Sequence, residues 1–577
     1  MLKNILQSVG EYKKATLLTP LFMIGEVLME VLIPFMMAAL IDKGINQNDM
    51  DMIIKYGIIL VILAMASLSC GVLSGNFAAV ASAGFAKNLR KRMFYKVQDF
   101  SFTNIDHFSS ASLVTRLTTD VTRVQNAYQM VIRIAVRAPI MLILSYTMAF
   151  SINRKLSLIY LGVIPVLGGA LFLITGMAHP IFVKVFKTYD RLNNIVQENV
   201  RGIRVVKSFV REDFEIQKFN EISGDIYNDF SRVEKLIAFN GPVMQMCIYT
   251  CMILISWVGA HLVVSKELTT GELTSMFTYT MQILMSLMML SMIFVMIIIS
   301  KASLERINEV LTEVPDISDP ADPVTEVADG SIVFDHVNFS YSNDPGKLCL
   351  KDICLTVRSG ETVGIIGGTG SAKSSLVQLI PRLYDITSGS LKVGGVEVRD
   401  YDVKVLRDAV SMVLQKNVLF SGSVKENLRW GNPDATDEEL IHACRLAQAD
   451  EFIQGFPDGY DTHIEQGGSN VSGGQKQRLC IARALLKKPA ILILDDSTSA
   501  VDTRTDAMIQ KAFAEEIPHT TKLIIAQRIS SVQHADKIIV LDNGYVSAVG
   551  THEELLASST IYQEVYYSQV KGDADHE

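Results

Sequence analysis

Six long runs of apolar residues occupy the first half of the chain. They cover residues 16–41, 56–80, 131–150, 156–178, 239–264 and 274–300. A helix needs about 20 apolar residues to cross the roughly 30 Å hydrocarbon core of a bilayer, and every run has that length. Buried helices of a soluble protein are the alternative, but all six would have to be unusually long. The pattern therefore predicts an all-α domain with six transmembrane helices.

Basic residues are distributed unevenly around these runs. They cluster at Lys3, Lys13 and Lys14 before the first run, within 87–96 after the second and within 184–204 after the fourth. The connections after the first, third and fifth runs are short and contain fewer basic residues. Because cytoplasmic segments carry an excess of Lys and Arg, both termini are predicted to be cytoplasmic. We expect a multi-pass protein of the cell inner (plasma) membrane.

The two long cytoplasmic connections are polar and helical in pattern, which predicts helices that continue beyond the bilayer and turn back. The turns are expected near Asn104–Ser112 and Val210–Phe214. The N-terminal segment 1–15 is amphipathic and basic, lacks the apolar core of a signal peptide, and is expected to lie along the inner membrane surface.

Composition divides the chain into two halves. Apolar residues make up 49% and charged residues 20%, with a mean hydropathy of +0.27, which is unusual for a soluble protein. Residues 1–300 hold 27 basic and 20 acidic residues, a net charge of +7, whereas residues 301–577 hold 26 and 41, a net charge of −15. Past Lys301, a charged helix and a proline-containing loop precede short β-branched strands. The predicted parts are the transmembrane domain (16–310), a linker (311–330), a second domain (331–570) and an acidic tail (571–577).

Seven cysteines are scattered through apolar stretches, and none belongs to a CxxC pair. Their odd number and scatter favour small buried hydrophobic residues in a reducing compartment over disulfides or metal ligands. They are Cys70, Cys247, Cys251, Cys349, Cys354, Cys444 and Cys480.

A glycine-rich turn joins a predicted strand to a predicted helix in the second domain. The sequence ETVGIIG leads into GGTGSAKSS and then LVQLIPRLYD, which is the context of a P-loop. Glycines let backbone N–H groups converge on phosphates, the helix N-terminus attracts the anion, and a lysine supplies a cation. The predicted nucleotide-binding residues are Gly367, Gly368, Thr369, Gly370, Ser371, Ala372, Lys373, Ser374 and Ser375.

A second strand, AILILDD, ends in acidic residues. Ser374 of the P-loop and Asp495 at this strand end offer oxygen ligands for the Mg²⁺ that accompanies ATP. A P-loop alone is also typical of kinases, GTPases and motor proteins. The segment VSGGQKQR, residues 471–478, separates these possibilities.

With these motifs in this order, the chain resembles the half-size exporters of the ATP-binding cassette (ABC) family over essentially its whole length. The signature residues are Ser472, Gly473, Gly474 and Gln475. The resemblance implies an α/β nucleotide-binding domain in which Gln415 of SMVLQKN contacts Mg²⁺ and the hydrolytic site. It places Ser499 and Asp502 in the D-loop, and Tyr341 against adenine. For Tyr341, an ordinary strand-end tyrosine is the alternative.

The signature has a physical reading of its own. Ser472 caps a predicted helix. Because Gly473 and Gly474 have no side chains, the N–H groups at the start of this helix are exposed and form a second anion site. Because the P-loop already supplies one phosphate cradle, the resemblance implies that this second site completes the ATP site of a neighbouring cassette. A dimer is therefore expected.

Two residues depart from the family pattern at hydrolytic positions. Members that hydrolyse ATP well place glutamate after the strand-end aspartate and histidine further along, where this chain has Asp496 and Gln527. The shorter carboxylate falls on the order of 1 Å short of the attacking water, which costs about a hundredfold in rate. Gln527 cannot become cationic, and Ala372 replaces a P-loop glycine. Together these changes predict a site that binds ATP and hydrolyses it slowly.

A poor ATP site beside an intact signature predicts a heterodimer with a second half-size ABC exporter subunit; a slow homodimer is the alternative. Cassette closure is expected to drive the export of amphipathic drugs or lipids through the lipid bilayer. A transporter dedicated to a peptide or metal chelate and a non-transporting regulatory subunit are the competing interpretations, and no nucleic-acid partner is expected.

Charged and methionine side chains mark a possible substrate cavity. Glu26 and Glu30 are one turn apart in the first run, and Arg133 and Arg137 are one turn apart in the third. Ionisable residues at membrane depth are functional candidates, with mutual pairing as the alternative. The methionines of the sixth run share one helical face, where lipid contact or packing is the alternative to ligand binding. They are Met281, Met285, Met288, Met289, Met292 and Met296.

Overall fold

The computed structural model describes residues 1–497 and 500–574, which form two compact units. The first unit contains Met1–Asp99 and Ser109–Glu313, and the second contains Phe100–Phe108 and the chain from Val314 onward. The short segment Phe100–Phe108 lies between membrane helices in sequence, yet it packs within the second unit. A division of the sequence by hydropathy alone does not anticipate this.

Helices build the first unit. Six continuous helical segments of the described chain are long and apolar enough to cross a membrane: Leu2–Ile45, Met50–Gln98, Ser110–Ile152, Arg154–Arg201, Glu212–Val264 and Thr270–Thr312. The prediction of six membrane helices is confirmed, and each helix extends beyond its apolar run. In chain order the helices are α1 (Leu2–Leu6), α2 (Lys13–Leu40), α3 (Met50–Gln98), α4 (Phe102–Phe108, in the second unit), α5 (Ser110–Thr115), α6 (Val121–Ile152), α7 (Arg154–Arg201), α8 (Ile203–Ser208), α9 (Glu212–Ala238), α10 (Asn240–Val264) and α11 (Thr270–Thr312).

Several polar groups in the membrane core find hydrogen-bond partners within the unit. Pro34 of α2 lacks an N–H, so the carbonyl of Glu30 one turn earlier loses its helical partner. The side-chain amide of Gln282 on α11 donates to that carbonyl at 3.4 Å. The buried hydroxyls of Tyr160 and Tyr279 likewise donate to backbone carbonyls at 2.8 and 2.9 Å. Such pairing is required where no water is present to replace it.

The N-terminal segment packs against α3. Ile5, Ser8 and Val9 are buried. The guanidinium of Arg92 donates to the carbonyl of Asn4 at 2.8 Å and to the hydroxyl of Ser8 at 2.7 Å. These contacts tie the segment to the membrane unit.

The second unit contains two main sheets. Its strands are β1 (Ile332–Phe339), β2 (Leu350–Val357), β3 (Thr362–Gly367), β4 (Ser388–Val393), β5 (Val396–Glu397), β6 (Val410–Val413), β7 (Gly422–Ser423), β8 (His463–Ile464), β9 (Ile491–Asp495), β10 (Thr521–Ile525), β11 (Lys537–Asp542) and β12 (Tyr545–Gly550). Its remaining helices are α12 (Lys373–Gln378), α13 (Val403–Ala409), α14 (Val424–Leu428), α15 (Asp437–Leu446), α16 (Asp450–Gln454), α17 (Gly473–Leu486), α18 (Thr503–Glu516), α19 (His552–Ser558) and α20 (Thr560–Ala574).

The larger sheet has the strand order β12-β11-β3-β10-β9-β6, and only β12 runs antiparallel to its neighbour. Strand β9 shows why both faces are buried: Ile491 and Ile493 enter one core cluster, and Leu492 and Leu494 enter the other. Parallel sheets require this double covering. The antiparallel sheet β2-β1-β4-β5 closes the first of these clusters. The expected α/β fold of the second domain is confirmed.

The cysteines differ in exposure. Cys247, Cys251, Cys444 and Cys480 are buried, and Cys70 and Cys349 are half-buried. The prediction of burial is wrong for Cys354, which is exposed. The reason is the period-2 alternation of β2, because the neighbouring Ile353 and Leu355 point into the core and leave Cys354 on the outer face.

Candidate nucleotide-binding site

The P-loop follows β3 at the carboxyl edge of the parallel sheet. A Cβ at Gly367 would lie 2.2 Å from the carbonyl oxygen of Leu541, so only glycine fits where the strand ends. Gly368 and Gly370 face open space, and Gly370 has a φ of +84°. The loop thus presents backbone without side chains where a phosphate chain approaches, while Thr369 is exposed and Ser371 is buried beneath the loop.

Ala372 lies in the left-handed region, with φ +71° and ψ +26°, immediately before α12. For a residue with a Cβ this conformation costs roughly 1–2 kcal/mol. The substitution of alanine for glycine here therefore places a strained residue at the start of the phosphate-binding helix.

Lys373 lies across the loop. Its ammonium donates to the carbonyls of Gly367 and Gly368 at 2.8 and 2.9 Å and approaches the hydroxyl of Ser371 at 3.4 Å. Burial lowers the pKa of Lys373, and the carboxylates of Asp495 and Asp496 oppose that shift. The cation is thus held in the centre of the loop.

Ser374 and Asp495 meet at the base of the loop. The Ser374 hydroxyl donates to Oδ1 of Asp495 at 3.0 Å. Burial raises the pKa of Asp495, and the hydrogen bond from Ser374 acts in the opposite direction. A hydroxyl and a carboxylate side by side are oxygen donors suited to Mg²⁺, so these residues fit that ion, which neutralises phosphate charge when bound. Gln415 is exposed two residues beyond β6, the strand that pairs with β9.

Asp496 follows the end of β9 with a φ of +50°. The side-chain amide of Gln527 donates to its Oδ2 at 2.7 Å. The backbone carbonyl of Gln527 in turn accepts a hydrogen bond from Gln569 of α20 at 2.8 Å. The two hydrolytic positions singled out from the sequence are therefore in direct contact, and a third residue far along the chain supports them. No sequence motif marks Gln569.

Tyr341 lies beside the P-loop helix. Its hydroxyl is 2.9 Å from that of Ser375, and its ring meets the edges of Phe339 and Tyr384 with centroids 4.7 and 5.0 Å away. The side chain remains 47% exposed. The ring is thus fixed beside the P-loop with one part open to a planar ligand.

The signature begins α17 with a capping box. The hydroxyl of Ser472 accepts from the backbone N–H of Gln475 at 3.3 Å, and the Gln475 side chain accepts from the N–H of Ser472 at 2.9 Å. A Cβ at Gly474 would lie 2.8 Å from the carbonyl oxygen of Ala500, whereas one at Gly473 would make an ordinary contact of 3.6 Å. The capping box fixes the start of the helix, and the two glycines leave its N–H groups accessible, as an anion site requires.

Gln477, which the sequence motifs do not single out, connects the signature helix to the D-loop. The side-chain oxygen of Gln477, a buried residue, accepts from the N–H of Ala500 at 3.0 Å. Asp502 caps α18 by accepting from the N–H of Thr505 at 2.9 Å. Ser499 lies outside the described residues. Gln477 is part of the VSGGQKQR segment, but its contact with Ala500 arises only from the tertiary structure, so the sequence alone does not predict it.

The membrane candidates fall into two sets. Arg137 forms ion pairs with both Glu26 and Glu30, at 2.6 Å for the latter. These charged residues therefore pair with one another, which is the alternative to a role in substrate binding. Met281, Met285 and Met292 of α11 are exposed, whereas Ile283 and Ile293 of the same helix are buried. Met288 and Met289 are exposed as well.

A membrane unit of six apolar helices, followed by a cassette with a P-loop and a capped signature helix, defines an ATP-driven membrane transporter. Two family models match the chain: the ABC transporter transmembrane region over residues 16–304 and the ABC transporter model over residues 350–499. The chain belongs to the ABC transporter family, as a half-size exporter that couples ATP hydrolysis to transport.

Similar proteins cover from about three quarters to nearly all of the chain. The uncharacterized ABC transporter ATP-binding protein YfiB of Bacillus subtilis is 37% identical over 549 residues, 95% of each chain. A putative multidrug export ATP-binding/permease protein of Staphylococcus aureus is 32% identical over 578 residues, 99% of this chain and 100% of its own length. The probable multidrug resistance protein YheI of Bacillus subtilis is 37% identical over 429 residues, 74% of this chain and 73% of its own.

Proposed function

We propose that this chain is one subunit of a heterodimeric multidrug or lipid exporter. Its own ATP site binds Mg²⁺ and ATP and hydrolyses the nucleotide slowly, while its signature completes the fast site of a different half-size subunit. The observation that carries the proposal is the 2.7 Å hydrogen bond from Gln527 to the carboxylate of Asp496.

The hydrogen bond affects hydrolysis in two ways. A general base needs a free lone pair that reaches the attacking water. One carboxylate oxygen of Asp496 instead accepts a hydrogen bond from the Gln527 amide. Because an amide does not titrate, a change of protonation cannot break this bond. The aspartate side chain is also one methylene shorter than glutamate. Gln569 holds the backbone carbonyl of Gln527 by a further hydrogen bond. Binding is expected to survive, because Lys373, Ser374 and Asp495 keep their arrangement.

The signature, unlike the hydrolytic positions, keeps the geometry that phosphate binding requires. Its capping box is complete, and Gly474 has no room for a side chain beside Ala500. A phosphate bound there gains N–H donors and the helix dipole. A chain that keeps this surface while its own site is poor suits a partner with glutamate and histidine at the two hydrolytic positions. The geometry therefore favours an unlike partner over a second copy.

Contacts within the second unit supply a route from the first cytoplasmic turn to the nucleotide. The hydroxyl of Tyr384 donates to Asp106 of α4 at 2.7 Å, and Phe102 packs edge-on against the same ring. Tyr384 also contacts Tyr341. Closure of the cassettes would thus displace α4, which continues in sequence into the membrane helices. In the second turn Phe209 is 73% exposed and is therefore available for contact with a cassette.

The membrane side chains favour amphipathic substrates. Arg137 pairs with both Glu26 and Glu30, so the three side chains leave a single negative charge, too little to select a strongly charged cargo. The exposed methionines of α11 offer an adaptable apolar surface. The names of the Staphylococcus aureus protein and of YheI, which refer to multidrug export and multidrug resistance, agree with this class. The nucleotide unit and both termini are assigned to the cytoplasm.

Co-purification tests the proposal. A tagged copy of this chain is extracted from its native membrane in mild detergent, and the ATPase rate of the eluted complex is compared with that of the chain expressed alone. We expect a second half-size ABC subunit in the eluate and a far higher rate for the pair. A single-component eluate with the same rate as the lone chain would refute the heterodimer.

Vesicle transport separates an exporter from a regulatory subunit. Inside-out vesicles that contain the pair should accumulate a fluorescent amphipathic dye on addition of ATP. Vesicles in which Lys373→Met is combined with the matching P-loop variant in the partner are the control. Nucleotide binding without dye flux over a panel of amphipathic dyes and labelled lipids would contradict the assignment as a multidrug or lipid exporter.

A further inference from the structure

Three side chains with metal-binding atoms meet on the outer face of the antiparallel sheet, away from the P-loop residues. They are His336 on β1 and Asp352 and Cys354 on β2, all exposed. The Nδ1, carboxylate oxygen and Sγ atoms lie within 4.8 Å of one another. Neither the family models nor the nucleotide site accounts for this cluster.

Two successive β-bulges bring the three residues together. Phe334 pairs with Leu355 and Val337 with Ile353, so β1 has an extra residue opposite Cys354. The next pairing, Phe339 with Leu350, gives β2 an extra residue in turn. A bulge changes which face a side chain occupies. The bulges put His336 and Asp352 on the outer face beside Cys354, while the paired apolar residues stay in the core.

The extra residue of each bulge has a left-handed backbone. The φ angle of His336 is +50° and that of Asp352 is +51°. Neither is glycine, so each position holds a conformation that costs on the order of 1 kcal/mol. The side chain of Asn338 supports the bend, since it accepts from the N–H of Asp352 at 2.9 Å and donates to the carbonyl of His336 at 3.2 Å.

The distance between the cysteine sulfur and the histidine nitrogen suits a small tetrahedral ion. Zinc bonds of about 2.0–2.3 Å place neighbouring ligand atoms about 3.3–3.8 Å apart. Sγ of Cys354 is 3.5 Å from Nδ1 of His336. Nδ1 is hydrogen-bonded to Oδ1 of Asp352 at 2.6 Å, and these two atoms have to move apart by about 0.7 Å to bind the same zinc ion.

We infer that His336, Asp352 and Cys354 form a surface binding site for Zn²⁺. Thiolate, imidazole and carboxylate together are the zinc donor set, whereas Mg²⁺ and Ca²⁺ prefer oxygen alone. Binding releases the thiol proton of Cys354 to solvent and requires the tautomer of His336 that carries its proton on Nε2, so that Nδ1 is free to bind the ion. Water supplies the fourth ligand, because Cys354 borders an open cavity of about 360 Å³ that Asp335, Ser390 and Lys392 also line.

The site would cross-link β1 to β2 just before the chain reaches Tyr341. His336 is in the strand that ends at Phe339, and Cys349, which precedes β2, contacts the hydroxyl of Ser375 at 3.5 Å. Zinc is thus placed to stiffen the sheet from which the adenine-side tyrosine projects.

Metal titration of the full-length protein tests the inference. The detergent-solubilised chain is stripped with a chelator and titrated with Co²⁺, and Zn²⁺ is then used to displace it. The variants are His336→Asn, Asp352→Asn and Cys354→Ser, because Asn tolerates the left-handed backbone and Ser is close in size to Cys. His519→Asn, also exposed, and Cys349→Ser are the matched controls.

We expect one high-affinity ion per chain with a thiolate–cobalt absorption band in the wild type and in both controls. Each ligand variant should weaken binding by roughly tenfold or more, and Cys354→Ser should lose the band. Absence of a saturable site, or binding that the three substitutions leave unchanged, overturns the inference and marks an adventitious ion only.

Thiol labelling gives a second readout that does not depend on the optical band. Cys354 is the exposed cysteine of the seven, so maleimide should modify it first. Zn²⁺ should slow that modification in the wild type and in His519→Asn, but not in His336→Asn or Asp352→Asn. Equal labelling rates with and without Zn²⁺ in the wild type would contradict the site. ATP binding by each variant checks that the cassette is folded.

Discussion

The two anion-binding loops of the nucleotide unit differ in how far each keeps the geometry that phosphate chemistry needs. The P-loop site has a strained Ala372 and a carboxylate, Asp496, that Gln527 holds by a hydrogen bond. The signature has a complete capping box and a glycine, Gly474, with no space for a side chain. Lys373, Ser374 and Asp495 form a P-loop arrangement suited to nucleotide binding, whereas Asp496 and Gln527 differ from the family pattern at the hydrolytic positions. This difference between the P-loop site and the signature is expected if one ATP site of a heterodimer mainly binds nucleotide and the other hydrolyses it.

The largest effect is expected from the signature. Gly474→Asp places a carboxylate against Ala500 and among the N–H groups that receive phosphate, so ATP hydrolysis by the pair should fall on the order of 100-fold or more. Steady-state phosphate release measures the loss. Gly346→Asp, in an exposed loop of the same unit, should leave the rate unchanged. A signature variant as active as wild type would show that this loop serves no fast site.

A gain is expected at this chain's own ATP site. Asp496→Glu combined with Gln527→His restores the longer carboxylate and an ionisable partner, and hydrolysis at this chain's own P-loop should rise on the order of 100-fold. The rate is measured with the partner's P-loop lysine replaced, so that only this site contributes. Asp496→Asn with Gln527→His is the control and should show no gain. If both double variants stay slow, another residue limits the site.

A smaller loss is expected from the P-loop lysine. Lys373→Met removes the cation held by Gly367 and Gly368, so bound nucleotide should drop from two to one per pair. Hydrolysis should decrease less than in Gly474→Asp, because the fast site keeps its own lysine. Equilibrium dialysis counts the nucleotides. A loss of activity as large as that of the signature variant would remove the distinction between the two loops.

The smallest effect is expected at Ala372. Ala372→Gly relieves the left-handed strain, which should stabilise the cassette by about 1 kcal/mol and tighten ATP binding without a change in turnover. Chemical unfolding and nucleotide titration measure the two quantities. Ala500→Gly, at a neighbouring loop without a positive φ, is the comparison and should not stabilise. Lower stability in Ala372→Gly would contradict the strain.

Much of this organisation follows from local sequence signals. Apolar runs are long enough to identify six helices, and GGTGSAKSS and VSGGQKQR each combine chemistry with a fixed local geometry. Contacts between distant residues leave no such signal. The pairing of Arg137 with Glu26 and Glu30, the support of Gln527 by Gln569, and the packing of α4 in the second unit all depend on tertiary structure.

Cys354 shows where local reasoning fails. Its neighbours Ile353 and Leu355 make the stretch read as apolar core, and the alternation of β2 turns that residue outward. The bulges that place His336 and Asp352 beside it shift the register between two strands. Register is a property of the paired strands, so neither strand's sequence specifies the cluster alone.

Site-resolved labelling after a single turnover tests the unequal division between the two ATP sites most directly. The purified pair is loaded with photoreactive azido-ATP carrying label on the γ-phosphate, allowed one turnover and cross-linked, and the same experiment with α-phosphate label reports occupancy. If Asp496 and Gln527 support only slow hydrolysis, as proposed, this chain keeps its γ-label while the partner keeps only α-label. Equal loss of γ-label from both chains would contradict it.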